Sequence, residues 1–203
     1  ERVYSTVMRN KTHLKEPDYL TDAFARETVR FIHKNKDKPF FAYVPFNAVH
    51  TPIEASKKYL DRFLGVKNPQ QKTYNAMVSA LDDAVGAIVT ALKETQTEKN
   101  TVVIFMNDNG TARGEKIFNA GMRGKKGSGY EGGHRGILFV RWPGGQLGNP
   151  REVDYASSVT DILPTLADML DLKIPKTEFP FDGISLKSAL DNTDFSKNGR
   201  KLI

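Results

Sequence analysis

The apolar run Thr101 to Met106 stops abruptly on Asn107-Asp108-Asn109-Gly110, a carboxylate flanked by two amides and closed by a glycine. Carboxylate and amide oxygens are the ligand types that suit calcium or magnesium. The same residues also spell a tight turn, because Asn-Gly is a strong hairpin dipeptide, and taken alone the two readings weigh equally. Asp108 and Asn109 cannot by themselves fill a site of about six or more oxygens, and no second acidic cluster stands out in the chain.

Two further groups of side chains have the types needed beside a tetrahedral anion. His50 stands in Asn47-Ala48-Val49-His50-Thr51-Pro52, where an imidazole can donate to an anionic oxygen or act as general acid or base. A histidine in isolation is more often a structural hydrogen-bonding residue. Lys125 and Lys126 lie in the glycine-rich run Met122 to Gly136, whose glycines allow the backbone close to a ligand. The bland alternative there is a solvated basic loop. An ammonium is a point charge suited to a tetrahedral anion. Metal, histidine and lysine together suit sulfuryl or phosphoryl transfer, since all three stabilise charge developing on oxygen.

These residues need elements to hold them. Residues 39–46, Pro-Phe-Phe-Ala-Tyr-Val-Pro-Phe, are predicted to form a buried strand that delivers His50 past its end. Tyr74, Met77, Val78, Leu81, Val85, Ile88, Val89 and Leu92 recur at three and four residues, which predicts a long helix with one buried stripe. The strand 101–106 follows. Strand, helix, strand is a βαβ unit, right-handed in about 98% of cases, so both strands would run parallel with His50 and Asp108 on one edge of the sheet. A helix is predicted from Thr21, capped by Thr21 or Asp22, with Phe24, Ala25, Thr28, Phe31 and Ile32 inward. Ile137 to Trp142 predicts a third strand, and Thr160 begins another helix. Residues 1–17 read as loop or edge segment, and Asp182-Gly183 as a turn.

The 203 residues carry 39% hydrophobic and 27% charged side chains, which suits a packed domain rather than a disordered segment. No continuous apolar run approaches the roughly 20 residues that span a bilayer, so no membrane span is expected. The net charge of +6 comes from Lys and Arg interleaved with acids, which does not support nucleic-acid binding. With no cysteine there is no disulfide and no thiolate site. Asn10-Lys11-Thr12 and Asn109-Gly110-Thr111 match the N-glycosylation pattern and are taken as chance matches. No internal repeat and no linker divides the chain, so residues 1–203 are expected to form one partial domain. The start at Glu1, with no signal region, suggests a piece of a longer protein.

A family likeness is carried by Pro39-Phe40-Phe41 leading to His50-Thr51-Pro52, Leu81-Asp82-Asp83-Ala84-Val85-Gly86, Asn107-Asp108-Asn109-Gly110, Arg123-Gly124-Lys125-Lys126-Gly127 with Glu131-Gly132-Gly133-His134-Arg135, Asp161-Ile162-Leu163-Pro164-Thr165, and Asp182-Gly183-Ile184-Ser185-Leu186. In this order they resemble the type I sulfatases, from about Tyr19 to Leu190. The resemblance implies an α/β fold with a mostly parallel sheet between helices, of the alkaline-phosphatase-like group. It implies Asp108 and Asn109 as calcium ligands, Lys126 in contact with the sulfate and the nucleophile, and His50 on the sulfate or its leaving oxygen. His134 would face the substrate pocket, while Glu131 and Arg135 brace the loop.

The family's nucleophile is a formylglycine made within a Cys/Ser-x-Pro/Ala-x-Arg motif. That motif is missing here: there is no cysteine, and neither Ser5 nor Ser56 is followed by the required residues. The chain therefore resembles the middle and later part of a sulfatase catalytic domain, leading toward the C-terminal subdomain from about residue 185. Its parent is expected to hydrolyse a small-molecule or glycan sulfate ester, and this segment alone is expected to be inactive. The rivals are a phosphonate monoester or phosphodiester hydrolase of the same fold, and a non-catalytic homologue that binds sulfated glycans. Exported sulfatases imply a periplasmic, extracellular or lysosomal parent.

Overall fold

The computed structural model describes residues 7–145, 147–174, 178 and 180–191. Ser5 and residues 192–203, toward the expected C-terminal subdomain, lie outside them. The chain organises into two compact units: Glu1–Glu98 with Asn109–Arg135, and Lys99–Asp108 with Gly136–Ile203.

The first unit is built on two helices. α1 (Leu20–Asn35) packs against α3 (Pro69–Glu94), and the short α2 (Lys57–Leu60) sits on α3. α3 starts where Asn68 Oδ1 accepts the Gln71 N–H at 3.0 Å, with Pro69 in the first turn. It ends where Gln96 takes a left-handed φ of 59° and the Thr97 N–H closes onto Leu92 O.

Its buried positions are Ala76, Met77, Ala80, Ala84, Ala91 and Leu92, so the predicted stripe is rotated. Val78 is 45% exposed. Large aliphatics flank an alanine ridge, and small side chains at i, i+4 and i+8 let the neighbouring elements approach closely. By length and composition α3 could cross a bilayer, but it carries Asp82 and Asp83, and its ridge packs on α1 and α2.

The α1 face is also displaced. Thr21, Ala23, Ala25, Ile32 and Asn35 are buried, whereas Phe31 is 39% exposed. The helix begins after Tyr19, with no side-chain cap from Thr21 or Asp22.

Tyr59, fully buried, joins these elements through a hydroxyl that donates to Asp22 at 2.5 Å and accepts from Lys58. Burial pushes its phenol pKa up, and donation to Asp22 adds to this. Arg62 lies over the Tyr59 ring and grips Asp83 with both terminal nitrogens, at 2.9 and 2.6 Å.

The residues near the start, expected as loop or edge segment, contain a hairpin. β1 (Val7–Arg9) pairs antiparallel with β2 (Thr12–Leu14) around Asn10, whose φ is 54°. Arg26 then holds the following segment by bonding Glu16 and Asp18.

The strand predicted at residues 39–46 is not formed: they join no β-ladder among the described residues, and the Phe46 N–H turns back onto Val44 O at 3.0 Å. The predicted burial is half right. Phe40 meets Phe31 edge-on at 5.7 Å and Phe46 meets Phe24 at 6.2 Å, while Phe41 and Tyr43 point outward at 77% and 79% exposure. Period-two alternation fixes which side chains touch α1; a ladder needs a neighbouring backbone about 4.8 Å away.

In the second unit β3 (Val103–Met106) pairs with β4 (Leu138–Arg141), with Phe105 stacked on Phe139. Both described ladders are antiparallel, and neither includes the pair expected to run parallel, residues 39–46 and 101–106. Apolar content specifies a strand, whereas its direction is set by whichever backbone supplies the ladder partners.

Beyond β4, Ser158 caps the turn that leads into α5 (Ile162–Met169), in a capping box with Asp161. Asp161 is fully buried, and its carboxylate accepts the N–H groups of Ser158 at 2.8 Å and Ile184 at 2.9 Å. Thr165 Oγ1 accepts the Leu186 N–H. The Asp161–Thr165 and Asp182–Leu186 motifs are thus one hydrogen-bonded assembly, continued by α6 (Lys187–Asp191).

Candidate active site

His50 follows a turn closed by its own N–H on Asn47 O at 2.8 Å. Its ring Nδ1 lies 2.7 Å from Thr51 O. A carbonyl can only accept, so Nδ1 carries the proton.

Lys126 approaches from the loop 109–135, which is held by backbone bonds between its own strands of chain. Gly110 N–H donates to Gly133 O, Lys126 N–H to Thr111 O, and Gly132 N–H to Arg123 O, all between 2.8 and 3.0 Å. These approaches need glycine. A Cβ on Gly110 would lie 1.9 Å from Gly132 O, and one on Gly132 would lie 2.3 Å from Gly124 O. Asn119 completes the turn by donating to Met122 O and Gly124 O.

The loop brings Lys126 Nζ to 3.4 Å from His50 Nε2. Lysine offers only donors, so Nε2 is the acceptor in this pair. The cation and the imidazole face each other at the long end of hydrogen-bond distance, on an exposed surface. Lys125 takes a different partner, Glu115 at 3.7 Å, which distinguishes the two adjacent lysines.

The other expected residues are placed as follows. His134 is exposed at the end of α4 (Glu131–His134), outside the hydrogen-bonded pair. Arg135 reaches Glu131 at 3.4 Å, both exposed, which fits a bracing role. Arg123 stacks on Tyr130 at 3.7 Å from the ring centroid.

Asp108 closes the β3 segment of the second unit and Asn109 opens the loop of the first, so the chain passes between units at that peptide bond. In the second unit Asn107 secures the strand end, its Oδ1 accepting the Ile137 N–H at 2.6 Å. Asp108 and Asn109 offer hard oxygen donors that fit calcium. Among the described residues no group of three or more His, Cys, Asp or Glu gathers around a common point.

Tyr74 and Thr111 did not stand out in the sequence as site residues: Tyr74 read as one more apolar helix position, and Thr111 only as the end of a chance glycosylation match. Nothing in their spacing signals that Tyr74 OH sits 3.2 Å from Thr111 Oγ1.

The Sulfatase family model matches residues 2–172. A sulfatase of Formosa agariphila is 34% identical over 86% of this chain and 34% of its own length. Mouse arylsulfatase J is 35% identical over 73% of this chain and 25% of its own. The solved structure of Ps i-CgsB in complex with k-i-k-neocarrahexaose superposes with a TM-score of 0.86 at 34% identity, covering 93% of this chain and 42% of that one. The chain thus spans about a quarter to a third of the length of the curated relatives it matches, and its fold is part of an alkaline-phosphatase-like α/β domain.

Proposed function

Because the chain belongs to the sulfatase family, we propose that it forms part of an enzyme that hydrolyses a sulfate ester. The observation that carries this most directly is the Lys126–His50 pair at 3.4 Å. An ammonium there offsets the charge of a sulfuryl group, and the adjacent imidazole handles the proton the leaving alcohol requires.

With Nε2 accepting from Lys126, that nitrogen has no proton to give. We therefore assign the proton source to solvent: water protonates Nε2, Nε2 passes that proton to the ester oxygen as the S–O bond breaks, and Lys126 stays an ammonium beside the sulfuryl group. Thr51 O keeps the ring oriented by holding Nδ1–H. His134 is proposed to line the substrate side of the site.

Asp108 and Asn109 would hold part of a calcium site, and a bound calcium would supply Lewis-acid charge to a sulfuryl oxygen. The formylglycine of the family has no matching position here, since cysteine is absent and no serine lies in the motif. The nucleophile is therefore assigned outside these residues, and no step is derived through it.

The likeness to Ps i-CgsB, solved with k-i-k-neocarrahexaose, favours a glycan sulfate over a small aryl ester. A phosphonate or phosphodiester hydrolase and a glycan-binding homologue are the competing readings. An exported parent, periplasmic, extracellular or lysosomal, is part of the proposal.

The test is sulfate-ester hydrolysis by the full-length protein, with and without calcium, beside Lys126→Ala and with phosphodiester and phosphonate esters as competitors. Calcium-dependent turnover of sulfate esters that collapses in the variant supports the assignment. Preference for phosphorus esters, or binding of sulfated glycan without turnover, rejects it.

A further inference from the structure

Lys126 is exposed and its side chain has four rotatable bonds, so what fixes its approach to His50 is the backbone from which it springs. That backbone is anchored at one point to a long packed helix. Lys126 N–H donates to Thr111 O at 3.0 Å. Thr111 Oγ1 in turn accepts the Gly114 N–H at 2.8 Å and lies 3.2 Å from the Tyr74 hydroxyl.

Tyr74 belongs to the 26-residue α3, whose alanine ridge is packed and whose ends are capped. The fit around its phenol is close. A Cβ on Gly114 would lie 2.5 Å from Tyr74 OH, so the small residue admits the ring. From α3 to His50 the connection runs Tyr74 OH, Thr111 Oγ1, Thr111 O, Lys126 N–H and Lys126 Nζ, all within the first unit.

We propose that Tyr74 and Thr111 are positioning residues that set the reach of Lys126 to His50 by tying the loop to α3. This inference rests on the sulfuryl-transfer role proposed above for Lys126. Neither residue touches the reacting atoms in this scheme. Tyr74 orients the Thr111 hydroxyl, and Thr111, held by Tyr74 and Gly114, presents the carbonyl that receives Lys126 N–H. Misplacing a charge by a fraction of an ångström weakens the transition state more than substrate binding.

The test uses the full-length protein with Tyr74→Phe, Thr111→Val and Thr111→Ser. Three readouts are needed: kcat and KM on a sulfate ester, amide hydrogen exchange of the peptide holding Lys126, and the rate at which acetic anhydride acylates Lys126. Tyr74→Phe and Thr111→Val are expected to lower kcat about 10-fold with KM within about twofold, the order of effect of a misplaced catalytic group. Lys126 amide exchange and acylation should rise several-fold, and Thr111→Ser should restore all three.

Unchanged kcat, exchange and acylation in both Tyr74→Phe and Thr111→Val overturn the proposal. So does a Thr111→Ser variant that behaves like Thr111→Val, because the hydroxyl would then be irrelevant. If the wild-type protein turns over no sulfate ester, the functional assignment fails by itself, and exchange and acylation still decide whether Tyr74 and Thr111 hold Lys126. Should Thr111→Val fail to fold, Tyr74→Phe, which keeps the ring and removes only the hydroxyl, decides the proposal by the same three readouts.

Discussion

Lys126 Nζ lies 3.4 Å from His50 Nε2, across 76 residues of sequence, and Thr51 O fixes the opposite ring nitrogen as the protonated one. A consequence can be read in the leaving group. Removing the imidazole should matter most where the departing alcohol needs a proton. His50→Gln is expected to slow hydrolysis of alkyl and glycan sulfates by about 10²–10⁴-fold, and of nitrophenyl sulfate much less. Lys126→Ala should cost about 10²–10³-fold on both substrates. Steady-state kinetics of the full-length protein on the two ester types checks this. Equal losses in His50→Gln would remove the proton-transfer role.

Asp161 is fully buried and takes the N–H groups of Ser158 and Ile184. Asp161→Ala leaves two partly buried donors without this acceptor, at about 1 kcal/mol for each. Asp161→Asn keeps one acceptor oxygen and should fall between. Chemical denaturation of the full-length protein is the measurement, and an Asp161→Ala loss under about 0.5 kcal/mol, the scale of an ordinary surface change, would contradict the account.

The alanine ridge of α3 predicts an inverted pattern of tolerance. Ala80 is fully buried, so Ala80→Leu should destabilise by about 1–3 kcal/mol through overpacking. Val78, 45% exposed, should accept Ala within about 0.5 kcal/mol. Comparing the two variants by thermal melts tests which face of α3 is packed.

Arg62, through its hydrogen bonds, holds the Asp83 carboxyl below the usual carboxylate range. A depressed folded-state pKa contributes stability above the unfolded value of about 3.9 and loses it as pH falls through the folded value. The side chains are 40% and 38% exposed, so the contribution is that of a screened pair, about 0.2–1 kcal/mol. Arg62→Met should therefore lower stability at neutral pH and flatten its fall between about pH 5 and 2. Melts across that range, at low and high salt, give the answer. An unchanged acid limb would mean the pair contributes nothing.

Much of the fold could be read from residue order, because local signals decide local structure. The 3.6-residue period placed α3, the apolar runs placed β3 and β4, and Asp182-Gly183 marked a turn. The candidate chemistry was legible for a similar reason. His50, Lys126 and Asp108-Asn109 each have a bland use when taken alone, and they became candidates together because the family likeness rests on those same positions.

What the sequence determined by itself is the set of elements and the chemical inventory, since both follow from residue type and period. Tertiary structure decided the rest, because it depends on partners distant in the chain. Period alone could not say that alanines rather than the larger aliphatics of α3 would face α1, as that is settled by the space between helices. Nor could it give strand direction, which the ladder partner fixes. The nearness of Lys126 to His50, the engagement of Lys125 by Glu115, and the Tyr74–Thr111 contact all arise from a glycine-lined loop closing on itself, a geometry set by backbone hydrogen bonds and close packing.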